Sequence, residues 1–209
     1  MAFPIQKKLV IAVSSSALFD LSESNEIYEQ QGVKAYEQHQ NDRISEVLPT
    51  GVAFPFIKRF LNINECFKEE EPVEVVLLSR NSAVTGRRVF RSIEHYGLNI
   101  TRAAFLEGAP VFEYIPAFNA SLFLSSYEPD VIKAIESGYP AGLIQSGHNV
   151  EDNNNAELRI AFDFDGVIAD DESETVYKTQ DLDAFQQHEI KNAGIPHNPG
   201  PLADLFKKL

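Results

Sequence analysis

The chain of 209 residues has one cysteine, Cys66. That scarcity excludes an intramolecular disulfide framework and any cysteine-rich zinc site, and it suits a reducing compartment. No apolar run approaches a membrane span, and the opening Met1-Ala2-Phe3-Pro4-Ile5-Gln6-Lys7-Lys8 has no apolar signal core. The expectation is a cytosolic protein with no membrane partner. Positive charge is also short: 18 Lys and Arg face 31 Asp and Glu, for a net charge of −13. Such a balance opposes a nucleic-acid polymer as partner. A small phosphorylated substrate is still compatible with it, because a bound cation and local amides reverse the sign at one point. Walker loop, dinucleotide glycine fingerprint and serine-hydrolase elbow are all missing.

What is present is material for a core: a hydrophobic share of 44%, with 15 Phe. The length fits one domain or one and a half at roughly 100–200 residues each. Strand patterns occur at 9–13, 73–78, 103–106, 122–124 and 141–144. Helical spacing is expected over 26–39, 52–61, 85–96 and 129–137, with Gly97 and Gly138 as natural stops. Strands alternating with helices predict an α/β fold, a Rossmann-like parallel sheet with flanking helices. The polar stretch Gly147 to Asn155 reads as a linker.

After that linker the opening of the chain recurs, 149 positions on and without a gap. Ile160-Ala161 falls on Ile11-Ala12, Glu172-Ser173 on Glu23-Ser24, Tyr177 on Tyr28, Gln187-His188 on Gln38-His39, and Gly200 on Gly51. The period is that of a domain, so the expectation is a duplicated α/β unit. Residues 1–146 form the first copy, 147–157 the linker, and 158–209 the start of a second, incomplete copy. That copy stops at Leu209, opposite Phe60.

The chemistry concentrates at Arg159-Ile160-Ala161-Phe162-Asp163-Phe164-Asp165-Gly166-Val167-Ile168. Read as a buried strand followed by a turn, the run carries Asp163 and Asp165 out of the strand end on one side. Carboxylates there are costly unless they meet a cation or hydrogen-bond donors. Mg²⁺ with a phosphate as a further ligand accounts for them, and so does a carboxylate nucleophile that takes up a phosphoryl group. The plain alternative is a strand followed by an acidic turn. In the 149-residue register Asp163 falls on Ser14 and Asp165 on Ser16, so the first copy has neither carboxylate. The acidic run Asp170-Asp171-Glu172-Ser173-Glu174 reads as a helix start rather than a second metal site. Arg87, Arg88 and Arg91 read as a solvated face rather than a phosphate clamp, and Ser79 divides evenly between phosphate donor and helix N-cap.

Asp163-Phe164-Asp165-Gly166-Val167 is similar to the first motif of the haloacid dehalogenase-like phosphohydrolases. The longer strings around it resemble the cytosolic 5′-nucleotidase 1 family. So do Ile11-Ala12-Val13-Ser14-Ser15, Leu78-Ser79-Arg80-Asn81-Ser82 and Ser92-Ile93-Glu94-His95-Tyr96. The resemblance implies Mg²⁺-dependent hydrolysis of nucleoside 5′-monophosphates, typically AMP-like, through an aspartyl-phosphate in the cytoplasm. It implies Asp163 as nucleophile and metal ligand, and Asp165 as general acid and base that also binds the metal. Ser79 stands where a phosphate-binding hydroxyl belongs. Val111 stands where a Lys is expected and Ser125-Ser126 where acids are expected, so the chain resembles a truncated member. The other reading is a non-catalytic nucleotide-binding or assembly module, and self-association is left open.

Overall fold

A computed structural model describes residues 7–145, 147 and 155–209. The chain divides into two compact units, Met1–Leu158 and Arg159–Leu209. Most of the expected linker lies outside the described residues, as do His148 and residues 1–6.

The first unit is built on β1, Leu9–Val13, whose five residues are all buried. Parallel strands flank it: β2, Val73–Ser79, with Leu9 beside Val73, and β4, Leu122–Ser125, with Ile11 beside Leu122. Outside them lie β3, Arg102–Phe105, and β5, Ala141–Leu143, giving the all-parallel order β3-β2-β1-β4-β5. This is the Rossmann-like, doubly wound arrangement. The strands are continuous apolar runs because both faces of such a sheet are covered. On one face Val10, Ala12, Val76, Leu78 and Phe123 pack with Val111, Ile115 and Ala134. Residues of the opposite parity, such as Ile11, Val13, Val75 and Leu77, point to the other face.

The helices depart from expectation in instructive places. The single helix expected over 26–39 is two, α2 Ser22–Gln31 and α3 Val33–Asp42, broken at Gly32 with φ 81°. The Ser14-Ser15-Ser16 turn folds as a short α1, Ser15–Leu18, because Ser14 Oγ caps it by accepting from Ala17 N at 3.2 Å. After α4, Phe54–Leu61, and α5, Ile63–Cys66, the long α6, Ala83–His95, is capped by Ser82 and not Ser79. Ser79 is the last residue of β2. Arg87 and Arg91 are exposed, but Arg88 is not part of a solvated face. It is 5% exposed and donates to the Glu46 carbonyl at 2.9 Å and to Gln40 Oε1 at 3.2 Å. The last helix of the unit is α7, Glu128–Glu136.

The second unit contains α8 Glu172–Thr179, α9 Leu182–Asn192 and α10 Ala203–Lys208. Asp171 precedes α8, and Glu172 and Glu174 occupy its first turn, where negative charge meets the positive end of the helix dipole. The strand expected through Ile160 to Phe162 does not form: residues 155–163 have no regular secondary structure. A strand needs a neighbour to satisfy its backbone donors and acceptors. The described residues of this unit offer only an isolated bridge, Ala169 to Pro199. Ile160 is accordingly 39% exposed, whereas Ile11 is 2% exposed.

One close approach holds the loop after β1. A Cβ on Gly51 would lie 2.6 Å from the Ala17 carbonyl oxygen and 2.8 Å from Phe19 N, and both neighbours are backbone. Gly51→Ala is therefore expected to cost about 1–3 kcal/mol, the usual range for overpacking. The measurement is the urea midpoint of the chain, and an unchanged midpoint would refute the close packing.

Candidate functional site

In open parallel sheets, ligands bind beyond the carboxyl ends of the strands where the strand order reverses. In the first unit that place lies between β1 and β4, and its floor is a network of hydroxyls. Ser15 Oγ and Ser79 Oγ are 2.9 Å apart and buried, and Ser79 Oγ also accepts from Asn81 N at 3.1 Å. Ser126 Oγ donates to Ser16 Oγ at 2.7 Å, and Ser16 Oγ lies 3.3 Å from Ser14 Oγ. A cleft of about 630 Å³ opens above them, lined by Tyr28, Tyr36, Arg80, Asn81, Val111 and Tyr127 among others. A neighbouring cleft of about 550 Å³ shares Ser16, Leu21 and Asn25 with it.

The cation among the larger cleft's lining residues, Arg80, is already paired. Arg80 donates through Nε to Asp130 Oδ2 at 2.9 Å and through Nη2 to Asp130 Oδ1 at 2.6 Å. Its Nη1 reaches the Gly108 carbonyl at 2.7 Å, and its guanidinium lies 4.9 Å from the centre of the Tyr127 ring. The hydrogen bonding to Asp130 holds the Arg80 guanidinium above its usual pKa. Asp130 itself is 3% exposed, so the pair orders a buried carboxylate on α7 against the end of β2.

The second unit has the same loop with different side chains. Asp163 and Asp165 are both exposed. Asp163 Oδ1 accepts from Phe164 N at 2.8 Å, and Phe164–Ile168 forms a wide turn closed by Ala169 N donating to the Phe164 carbonyl at 2.9 Å. The turn is possible because Gly166 takes φ 71°, a left-handed conformation. In the first unit the matching bond is Phe19 N to the Ser15 carbonyl, an ordinary helical turn one residue shorter. The bonds that tie each loop down also match. Gly51 N donates to Leu18 O and Gly200 N to Ile168 O, while Ala53 N donates to Ala17 O and Leu202 N to Val167 O.

These pairs correct the gapless register. Over 167–170 the structural counterparts lie 150 positions apart, so the acidic loop has one extra residue between Phe164 and Val167. One residue fewer follows before Ser173, which is buried like Ser24. The 149-residue spacing then returns, and the edge-to-face pairs Tyr28–Tyr36 and Tyr177–Phe185 both have centroids 6.0 Å apart. The insertion and the deletion cancel.

A 5′-nucleotidase family model matches residues 1–209. The chain belongs to the 5′-nucleotidase family. It is 32% identical over 206 residues to cytosolic 5′-nucleotidase 1B of Homo sapiens, a match that covers 96% of this chain and 34% of that protein. The chain thus spans about a third of the length of the curated relative it matches. No solved structure matches it. Among the described residues no helix is long and apolar enough to cross a membrane.

In this family member the two aspartates and the serine expected at the site fall in different units. Asp163 and Asp165 lie on the exposed loop of the second, and Ser79 is 1% exposed under the first unit's cleft with its hydroxyl already partnered. The Arg80–Asp130 pair, the Tyr36 hydroxyl donating to Asn81 Oδ1 at 2.9 Å and the Tyr127 ring were not foreseen. The only sequence signal for them was the Ser79-Arg80-Asn81 string at a strand end. Asp130→Ala is expected to lower stability by about 1.5–3 kcal/mol, the range for hydrogen bonds to charged groups. In a double-mutant cycle by urea unfolding, the loss should shrink when Arg80→Ala is already present. An undiminished loss would mean that Asp130 does not act through Arg80.

Proposed function

We infer that the chain serves a 5′-nucleotidase that hydrolyses nucleoside 5′-monophosphates, AMP-like, to nucleoside and phosphate in the cytoplasm. The observation that carries this reading is the wide turn at Phe164–Ile168, which leaves two carboxylates exposed on one short loop in a member of this family. The two units are copies of one α/β unit, supported by their matching loop bonds. The acidic copy is the catalytic one.

The family is of the haloacid dehalogenase-like phosphatase type, which usually works with a divalent metal. The donors here suit Mg²⁺: Asp163 and Asp165 are hard oxygen ligands, and Mg²⁺ is commonly held by one or two carboxylates with water and substrate phosphate. Among the described residues no group of three or more His, Cys, Asp or Glu could hold a metal. Asp163 and Asp165 are the residues that would hold the cation. It would supply charge neutralisation at the phosphoryl oxygens.

Asp163 attacks phosphorus in line, the bond to the ribose 5′ oxygen breaks, and an aspartyl-phosphate forms. Asp165 delivers a proton to the departing oxygen and then takes one from the water that releases phosphate.

Asp163→Asn is nearly isosteric but forms no acyl-phosphate, so turnover of AMP should fall by roughly 10³-fold or more while substrate binding changes only a few-fold. Steady-state phosphate release together with equilibrium binding reads both, and turnover close to that of the unsubstituted chain would remove Asp163 as nucleophile. Chelation by EDTA should abolish phosphate release and added Mg²⁺ should restore it. Release that persists in EDTA would overturn the metal dependence.

A further inference from the structure

The first unit's cleft has a role that the hydrolytic reading does not use. It lies at the ligand-binding end of the sheet, yet serines stand where the second unit has carboxylates, and Val111 is apolar. The strand end under the cleft therefore lacks the two carboxylates of the acidic loop. It is also poorly suited to an anion. Arg80 is engaged by Asp130 through Nε and Nη2 and by the Gly108 carbonyl through Nη1, while Glu29, Glu37 and Glu107 line the same cleft. The helix behind Tyr127 opens with Glu128 and Asp130, so negative charge already occupies its first turn. A phosphate placed here would meet carboxylates with no unpaired cation among the lining residues.

What the cleft does offer is aromatic surface, hydroxyls and one unused donor. The Tyr127 ring is 47% exposed and stacked on Arg80, and Tyr28 is 51% exposed on the same cleft. Such rings stack on planar heterocycles without regard to charge. Asn81 Oδ1 is taken by the Tyr36 hydroxyl, but the buried Asn81 Nδ2 has no hydrogen-bond partner among the described residues. A buried amide left so is costly, and an acceptor on a ligand ring would satisfy it. Beside it run Ser14 and Ser16, and the exposed Ser126 hydroxyl that donates to Ser16 borders the adjoining cleft. They match a hydroxylated, uncharged tail.

We propose that the first unit's cleft is a metal-independent binding site for an uncharged nucleoside: the base stacks on Tyr127 and accepts from Asn81 Nδ2, and the sugar hydroxyls meet the serine row. This is the chemical class of the product that the second unit's reaction would release. The binding inference rests on the cleft's own groups and not on that reaction.

The test is calorimetric titration of the full 209-residue chain carrying Asp163→Asn, in EDTA, with adenosine and with AMP as probes. Adenosine should bind one to one, and AMP at least tenfold more weakly. Tyr127→Ala, at an exposed position that threatens folding little, should weaken adenosine by about tenfold, the scale of one base–aromatic stack. Asn81→Ala should weaken it too. Absence of adenosine binding, AMP binding as tight as adenosine, or adenosine affinity unchanged by Tyr127→Ala would each overturn the proposal. Because the chain tested cannot use Asp163 and the buffer holds no free metal, binding here stands or falls separately from hydrolysis.

Discussion

A buried parallel strand exists only between neighbours that take its backbone hydrogen bonds, and the first unit is organised by that requirement. β1 is sealed on one edge by β2 and on the other by β4, which fixes the carboxyl ends of three strands at one place. From there Ser15 meets Ser79 across 64 positions, and Ser126 meets Ser16, which lies beside Ser14. The helices then complete the cleft walls, with Tyr36 of α3 reaching Asn81 and Asp130 of α7 reaching Arg80. The second unit shows what happens to a similar sequence where the described residues provide no ladder. Ile160 and its neighbours stay irregular, while the loop after them, tied down locally, keeps its bonds.

That local tying explains how one loop framework carries two chemistries. In both units backbone bonds from a segment ending in glycine pin the turn, at Gly51 and at Gly200, where a side chain would strike backbone. Within that frame the first unit makes a compact helical turn that draws its serines into mutual hydrogen bonds. The second makes a turn one residue wider, with Gly166 at positive φ and both carboxylates exposed. Neutral hydroxyls can be buried against one another at little cost, whereas two carboxylates of like charge cannot, so the acidic loop stays open to solvent.

Much of this was legible along the chain. The five strands of the first unit follow from short apolar runs, since both faces of a parallel sheet are covered and the runs need no alternation. The placement of Asp163 and Asp165 after an apolar lead-in was enough to raise phosphoryl chemistry, and the family match agrees with that class. Helix boundaries were less legible at Gly32 and Ser82, where one backbone conformation and one capping hydroxyl decide the outcome. Arg88 read as surface because charge periodicity cannot report a carbonyl and an amide brought from 42 and 48 positions away.

By itself the sequence determined composition, charge sign, the α/β alternation and the recurrence of one motif with serines in one copy and aspartates in the other. These depend on residue type and local spacing, which a linear string records completely. The tertiary structure alone decided that the acidic loop is one residue longer between Phe164 and Val167, because a deletion before Ser173 restores the spacing and hides it from any gapless comparison. It alone decided that the Arg80 charge is spent on Asp130 and that Asn81 keeps a donor unused among the described residues, because both depend on groups that only chain folding brings within hydrogen-bonding distance.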